Sequence, residues 1–364
     1  MIYKTKDRTF NFKRYPSTTN KSLRAWNAAD ELLHQTLENQ VEPHSKLCIS
    51  NDRFGVLANL FNTNPTQHII AYKSQEKALY KNAKLNDIPV ERLQFRSPLD
   101  TIDTFDFALL KIPKSLNLFE LLIQQLHSGI ADEGVIFAGF MTRHFSPRLI
   151  EIAEYYFDSV EQSKAKKKAR VLTLKGKKDQ PAKDIVESIF YKDYDIKQYK
   201  GVFSSGHIDF ATQFFLEHFE AKENEQSVLD LASGNGIIAK ELYDSFKPNE
   251  LHLMDDSFLA IESSKMNLPD LPNEAFHYSD SLEVFQDQSI DLVVSNPPFH
   301  FGHENNIEVA IQLFKGVQRI IKENGRFAMV TSKHLNLFTH LDPLFTSTRI
   351  LKENDRFVIY ECFK

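Results

Sequence analysis

Residues 227–242 read SVLDLASGNGIIAKEL: an apolar strand, a glycine turn and the first turns of a helix. Gly234 and Gly236 have no Cβ and tolerate positive φ, so the backbone there can come close to a ligand. The helix start behind them offers unpaired N–H groups. Strand, glycine turn and helix in this order form the opening unit of a doubly wound α/β sheet, whose ligand sits outside the carboxyl ends of the strands. The next strand, ELHLMD, ends in Asp255. An acid at that tip is placed to accept from both hydroxyls of a ribose.

Taken alone the loop leaves two ligands open. Gly234, Gly236 and Ala239 also satisfy the dinucleotide spacing G-x-G-x-x-G/A, which would suit a nicotinamide-dependent oxidoreductase. Asp230 tilts the choice. A carboxylate just before the glycines faces a diphosphate unfavourably, and suits a ligand with a cationic amino-acid end such as S-adenosylmethionine. Asp280, in HYSDSLEV after the third strand candidate, is placed to accept from an adenine amino group.

Strands and helices alternate outward from this loop in both directions. After it come ELHLMD, FLAIESSKMNL, IDLVVS, VAIQLFKGVQRII, GRFAMVTS and RFVIYECF. Before it come SLRAWNAADELLHQTL, KLCIS, GVLANLF, QHIIAY, EKALYKNAKL, FDFALLKI, LFELLIQQLHSGI and GVIFAGF. That alternation predicts parallel sheets covered by helices. Tyr72 with Asp255, Asp106 with Asp291, and Gly134 with Gly325 recur at a nearly constant separation, which reads as two copies of one α/β unit. The copies differ where chemistry would sit. The first has ISNDRFG in place of LASGNGI and LLKIPKSL in place of VVSNPPFH, the pattern of a scaffold without site residues.

The fourth strand of the second copy, IDLVVS, delivers Asn296 beside the glycine loop, followed by Pro297, Pro298 and Phe299. The two prolines fix φ and remove two N–H donors. The Asn296 side-chain oxygen and the Pro297 carbonyl can then accept both protons of one planar amino group. Phe299 offers a π-face to the ring carrying that amine, worth about 1–3 kcal/mol by base-stacking precedent. A positioned amine needs only an in-line electrophile, and proximity supplies most of the catalysis.

Bulk properties narrow the class. The 364 residues carry a formal net charge of −5, so a bulk basic field for nucleic acid is absent and RNA contact must use a local patch. The segment EQSKAKKKARVLTLKGKKDQPAK concentrates Lys164, Lys166, Lys167, Lys168, Arg170, Lys175, Lys177, Lys178 and Lys183. It reads either as a solvated linker with an edge strand or as a phosphate-contacting ribbon. Two distant cysteines give neither a metal spacing nor a disulfide framework, the pattern of a reducing cytosol. No signal-peptide core or membrane-length apolar run occurs. HFGHE at 300–304 has no second ligand cluster, and no metal is expected.

GVFSSGHIDFATQFFLEHF, VLDLASGNGIIA and SNPPFH, in this order, resemble the ribosomal RNA guanine-N2 methyltransferases with duplicated domains. RYPSTTNKSLRAWNAADELL resembles the members acting on 23S rRNA more than the 16S relatives. The likeness covers essentially the whole chain. It implies an α/β protein of two tandem Rossmann-like class I methyltransferase domains, the first degenerate. Residues 1–160 would form the degenerate domain with an RNA-binding role, 161–195 a basic linker or edge ribbon, and 196–364 the S-adenosylmethionine-dependent catalytic domain. The resemblance puts Asp230, Gly234 and Gly236 at the cofactor's amino-acid end, Asp255 at the ribose and Asp280 at the adenine. Asn296, Pro297 and Phe299 would hold the target guanine, with Phe203 and Ser204 in a lid. Ala232 and Ser233 stand where that family commonly has Gly and Cys. A cytoplasmic monomer acting on 23S rRNA is the implied whole. Rival readings are a 16S rRNA enzyme, a protein glutamine N-methyltransferase, the oxidoreductase and a non-catalytic RNA-binding module.

Overall fold

Two sheets of seven strands each follow from the alternation of apolar strand and helix segments. The computed structural model describes residues 1–20, 22–204, 206–297, 300–301, 304–305 and 307–364. It divides into two units, Met1–Ile185 and Val186–Lys364.

The first unit opens with a hairpin of β1 (Ile2–Lys4) and β2 (Thr9–Asn11), then α1 (Ala28–Leu37). The helix predicted from Ser22 starts later because Asn27 and Asp30 form a reciprocal capping box there. Next come β3 (Leu47–Ser50), α2 (Val56–Leu60), β4 (Thr66–Ile69), α3 (Lys73–Leu85), β5 (Gln94–Arg96), β6 (Phe105–Lys111), α4 (Leu116–Gly129) and β7 (Ile130–Met141). The unit closes with α5 (Pro147–Tyr156), β8 (Phe157–Gln162) and β9 (Ala169–Lys177), in a sheet of order β5-β4-β3-β6-β7-β9-β8.

The second unit begins with a hairpin of β10 (Val186–Tyr191) and β11 (Tyr194–Tyr199), followed by α6 (Phe210–His218). It continues through β12 (Ser227–Leu231), α7 (Ile237–Phe246), β13 (Glu250–Asp255), α8 (Phe258–Asn267), β14 (Phe276–Tyr278) and β15 (Ile290–Ser295). A short pair, β16 (His300–Phe301) and β17 (Glu304–Asn305), precedes α9 (Ile307–Ile320) and β18 (Ile321–Ser332). A one-turn helix α10 (Phe338–Leu341), then β19 (Ser347–Glu353) and β20 (Phe357–Phe363), complete the chain, and the sheet order is β14-β13-β12-β15-β18-β20-β19. Ala310, Phe314, Val317 and Ile320 recur at helical spacing and bury one face of α9 in a core with Phe327 and Tyr360.

Renumbered within each unit, both sheets have the order 3-2-1-4-5-7-6, five parallel strands and a final antiparallel pair. Local contacts repeat as well. Asp106 accepts from the Lys46 N–H at 2.8 Å, and Asp291 accepts from the Ser227 N–H at 2.9 Å. A Cβ on Gly134 would meet the Asp106 carbonyl at 2.9 Å, and one on Gly325 the Asp291 carbonyl at 2.9 Å. Both glycines are required by the same close backbone approach, so these two sequence pairings mark true equivalents. The third pairing does not. Strand register matches Ser50 with Ile69 and Leu231 with Met254, so Asp255 corresponds to Ile70, not Tyr72.

The basic segment expected as a linker or edge ribbon over 161–195 is divided differently. β9 is an interior strand of the first sheet, paired with β7 and β8, because Val171, Leu172 and Leu174 are buried. The division between units falls at 185/186, and the hairpin from Val186 belongs to the second. Part of the positive charge is already engaged. Lys167 pairs with Glu31 at 2.8 Å and Lys183 with Glu120 at 2.7 Å. Lys164, Lys168 and Lys175 are exposed.

Candidate active site

The parallel strands of the second sheet end together, and their tips carry most of the residues singled out in the sequence. β12 brings Asp230, β13 brings Asp255 and β15 leads into Asn296 and Pro297. Phe299 lies outside the described residues.

The glycine loop is held open by its neighbours. Gly234 has φ +57° and Gly236 φ +80°, both in the left-handed region. A Cβ on Gly234 would meet nothing within 4 Å, whereas one on Gly236 would meet Ser264 Oγ at 3.0 Å. Gly234 therefore borders open space and Gly236 packs on α8. The Gly234 N–H donates to Asp255 Oδ2 at 2.9 Å, and Ser264 Oγ donates to the Gly234 carbonyl at 3.0 Å. Asn235 donates to Gln198 at 2.8 Å, and Asn267 donates to the Asn235 carbonyl at 2.8 Å. Gln198, Ser264 and Asn267 have no motif signature and become visible only once β11, α8 and the loop are packed together.

Asp230 is fully buried. Its Oδ2 accepts from the Ala239 N–H of α7 at 3.0 Å, while its Oδ1 has no hydrogen-bond partner among the described residues, and neither has the buried Ser233 Oγ. Burial pushes the Asp230 carboxyl up to about 7, with the backbone bond from Ala239 pulling it down and the Asp255 charge adding to the rise. A buried acceptor left unmatched costs free energy that a bound cation or donor would recover. Asp255 uses both oxygens on backbone N–H groups, Ser257 at 2.8 Å as well as Gly234. Burial also raises its carboxyl, against those two bonds. Each oxygen retains a further lone pair, so accepting from hydroxyls remains compatible with holding the loop. Asp280 lies half-buried two residues after β14, which runs parallel to β13. Phe203 is 64 % exposed on the loop before α6, and Ser204 Oγ there donates to the His207 carbonyl at 2.8 Å.

Asn296 is anchored by residues that the sequence reading did not single out. Its Nδ2 donates to Asp209 Oδ2 at 2.9 Å and to Thr212 Oγ1 at 2.8 Å. Asp209 is the N-cap of α6, accepting from the Ala211 N–H at 3.0 Å. The signal was available: an Asp directly before the apolar run FATQFFLEHF is a helix start. With its amino group occupied, Asn296 has its carbonyl oxygen to offer. A cleft of about 410 Å³ adjoins, lined among others by Asp209, Phe210, His334, Arg356 and Phe357.

The first unit shows what the same framework does without these residues. Position for position, Ile49 stands for Asp230, Arg53 for Gly234, Ile70 for Asp255 and Lys111 for Asn296. Asp52, three residues before the N-cap Gly55, accepts there from two N–H groups of α2, Val56 at 3.0 Å and Ala58 at 2.9 Å. Asn51 donates to the Lys111 carbonyl at 2.7 Å and accepts from Gln75 at 3.0 Å. The strand tips of the first unit are thus stitched together by the chain's own side chains, and the loop glycine that would border a ligand is an arginine.

Comparison with known proteins agrees with this division. Residues 1–178 match the model of the RLMG N-terminal domain, and residues 193–361 that of the methyltransferase small domain. The chain is 28% identical to the ribosomal RNA large subunit methyltransferase G of Psychromonas ingrahamii, over 98% of this chain and 97% of that protein. It is 29% identical to the protein of that name from Aliivibrio salmonicida, with the same coverage of 98% and 97%. The T. thermophilus 16S rRNA N2 methyltransferase RsmC, solved with AdoMet and guanosine, superposes with a TM-score of 0.77 at 18% identity, over 100% of this chain and 97% of that one. That likeness supports the fold: two tandem Rossmann-like class I methyltransferase units, the first degenerate. Among the described residues no helix is long and apolar enough to cross a membrane. The chain thus joins a segment that matches the RLMG N-terminal domain to one that matches the methyltransferase small domain, and over almost its whole length it is similar to proteins named ribosomal RNA large subunit methyltransferase G.

Proposed function

We propose that the second unit methylates the exocyclic N2 amine of a guanine in 23S rRNA, using S-adenosylmethionine. The observation that carries this reading is the anchoring of Asn296, whose amino group is spent on Asp209 and Thr212 so that its oxygen is the atom left to receive an amine proton. The names of the relatives that match almost the whole chain support an rRNA substrate of the large subunit.

The residues present fit the cofactor. Asp230, with an orphaned buried oxygen, would receive its ammonium end, the open side of Gly234 would admit its backbone-contacting part, and Asp255 would take its ribose. Asp280 would accept from its adenine, and Phe203 would close over it. When bound, S-adenosylmethionine supplies an electrophilic sulfonium methyl. The chain's own contribution is positioning. Asn296 and the Pro297 carbonyl hold both protons of the amine, which turns its lone pair out of the ring plane. Phe299 stacks on the base. The amine's surplus proton leaves to water after transfer, so no strong general base is required. The first unit, with exposed Lys164, Lys168 and Lys175, contacts RNA phosphates without reading sequence.

Incubation with labelled S-adenosylmethionine and unmodified 23S or 16S rRNA, followed by nucleoside analysis, tests the proposal. N2-methylguanosine in 23S rRNA alone is expected. Label in 16S rRNA alone, or in protein, overturns the substrate assignment. Asn296→Ala is expected to abolish transfer with cofactor binding intact, and full activity in that variant would remove the amine clamp.

A further inference from the structure

We infer that Asp209 and Thr212 are positioning residues that lock the Asn296 amide in the one orientation able to grip an amine, an inference that rests on the reading of Asn296 given above. A side-chain amide is nearly symmetric in shape, yet its two ends are opposite in chemistry: one end accepts and the other donates. Flipped by half a turn, Asn296 would present its NH2 group to the incoming amine, a donor against a donor. Nothing in the Asn-Pro-Pro-Phe sequence forbids that flip. Asp209 does. An ionised carboxylate is acceptor-only, so it is satisfied only by the amino end of Asn296. Oδ2 of Asp209 takes that bond at 2.9 Å while also accepting from the Ala211 N–H at 3.0 Å, so the carboxylate is itself fixed by the first turn of α6. Thr212 Oγ1, one turn along the same helix, receives the second amide proton at 2.8 Å. Both donors of Asn296 are used, and its oxygen is the sole group left for the site.

The first unit supplies an independent view of this clamp. Lys111, the counterpart of Asn296, reaches Asn27 Oδ1 at 3.3 Å and Asp30 Oδ2 at 2.6 Å. Asn27 is the N-cap of α1 and Asp30 its third residue. Asp209 and Thr212 hold the same two positions on α6. Both units therefore place a pair of acceptors, N-cap and third helical residue, against the residue at the carboxyl end of the fourth strand, the last of β6 and the first after β15. In the first unit the donor is an ammonium, which spends itself in an ion pair and has no oxygen to present. In the second it is an amide, which satisfies the same acceptors and has an acceptor of its own to spare. A shared structural contact has become an orienting device by exchange of the donor.

The test compares Asp209→Asn, Thr212→Val, Thr212→Ser and Asn296→Ala in the full chain. Asn is as good an N-cap as Asp, so Asp209→Asn is expected to keep the melting temperature. Its own NH2 group can donate to the Asn296 oxygen, which permits the flip. The expected result is a kcat lower by roughly ten- to hundredfold, with KM for 23S rRNA and the Kd for S-adenosylhomocysteine within about twofold of the parent. Thr212→Val, isosteric without an acceptor, is expected to lower kcat in the same sense, and Thr212→Ser to restore it. Wild-type kcat in both Asp209→Asn and Thr212→Val, with Asn296→Ala inactive, overturns the positioning role alone. Full activity in Asn296→Ala overturns the underlying reading instead.

Discussion

The Gly234 N–H donates to Asp255 Oδ2 at 2.9 Å, so the acid at the tip of β13 holds the glycine loop whose ligand it would also bind. One side chain would thus couple the shape of the loop to the ribose subsite proposed above. Asp255→Ala removes the acceptor for Gly234 and that for Ser257 together. The expected outcome is a loss of S-adenosylhomocysteine affinity of at least roughly tenfold, read by titration calorimetry. An unchanged Kd would show that neither the loop geometry nor the ribose contact depends on this carboxylate.

Asp230 makes stability depend on pH. Its carboxyl is pushed up to about 7 in the fold, against an ordinary value of about 3.9 in the unfolded chain. Between those values the folded state binds more protons than the unfolded state, so this group's contribution to stability falls as pH rises from about 4 through about 7. Asp230→Asn removes the titration. The variant is expected to melt several degrees above the parent at pH 8, with the gap narrowing as the pH is lowered toward about 4. Cofactor affinity should fall in the same variant, because the orphaned oxygen no longer carries charge. A melting difference independent of pH would refute the buried-acid account.

Ala232 occupies the left-handed region at φ +60°, which an L-residue enters at a cost of about 1–2 kcal/mol. Asn51, its counterpart in the first unit, adopts φ +57°, a conformation that asparagine tolerates better. Ala232→Gly is therefore expected to raise stability by about 1 kcal/mol, after allowing for the greater freedom of glycine in the unfolded chain. Chemical denaturation with an unchanged m-value measures it. A destabilised variant would mean that the Ala232 methyl makes packing contacts worth more than the backbone strain.

Much of this protein was legible in one dimension because the signals are local. The strand–glycine–helix of residues 227–242 announces its loop through the residues that alone can take its backbone angles, and Gly234 and Gly236 do lie at positive φ. The repeat was legible through Asp106 with Asp291 and Gly134 with Gly325, since those residues answer the same packing demand twice. The pairing of Tyr72 with Asp255 failed because loop lengths before and after the second strand differ, and register is fixed only by the neighbouring strand. The strand from Ala169 was obscured by its lysines, which occupy its exposed positions and turns while Val171, Leu172 and Leu174 face inward.

The sequence by itself determined that two α/β units follow one another, and which of them keeps an acid-flanked glycine loop and an Asn-Pro-Pro-Phe strand end. Those features depend on neighbours within a few residues. Only the tertiary structure decided that Asp209 and Thr212 turn the Asn296 amide, that Asp255 braces Gly234, and that Asn51, Asp52 and Gln75 close the first unit's strand tips. Hydrogen bonds of that kind join residues far apart along the chain, and their direction is set when the helices pack on the sheet.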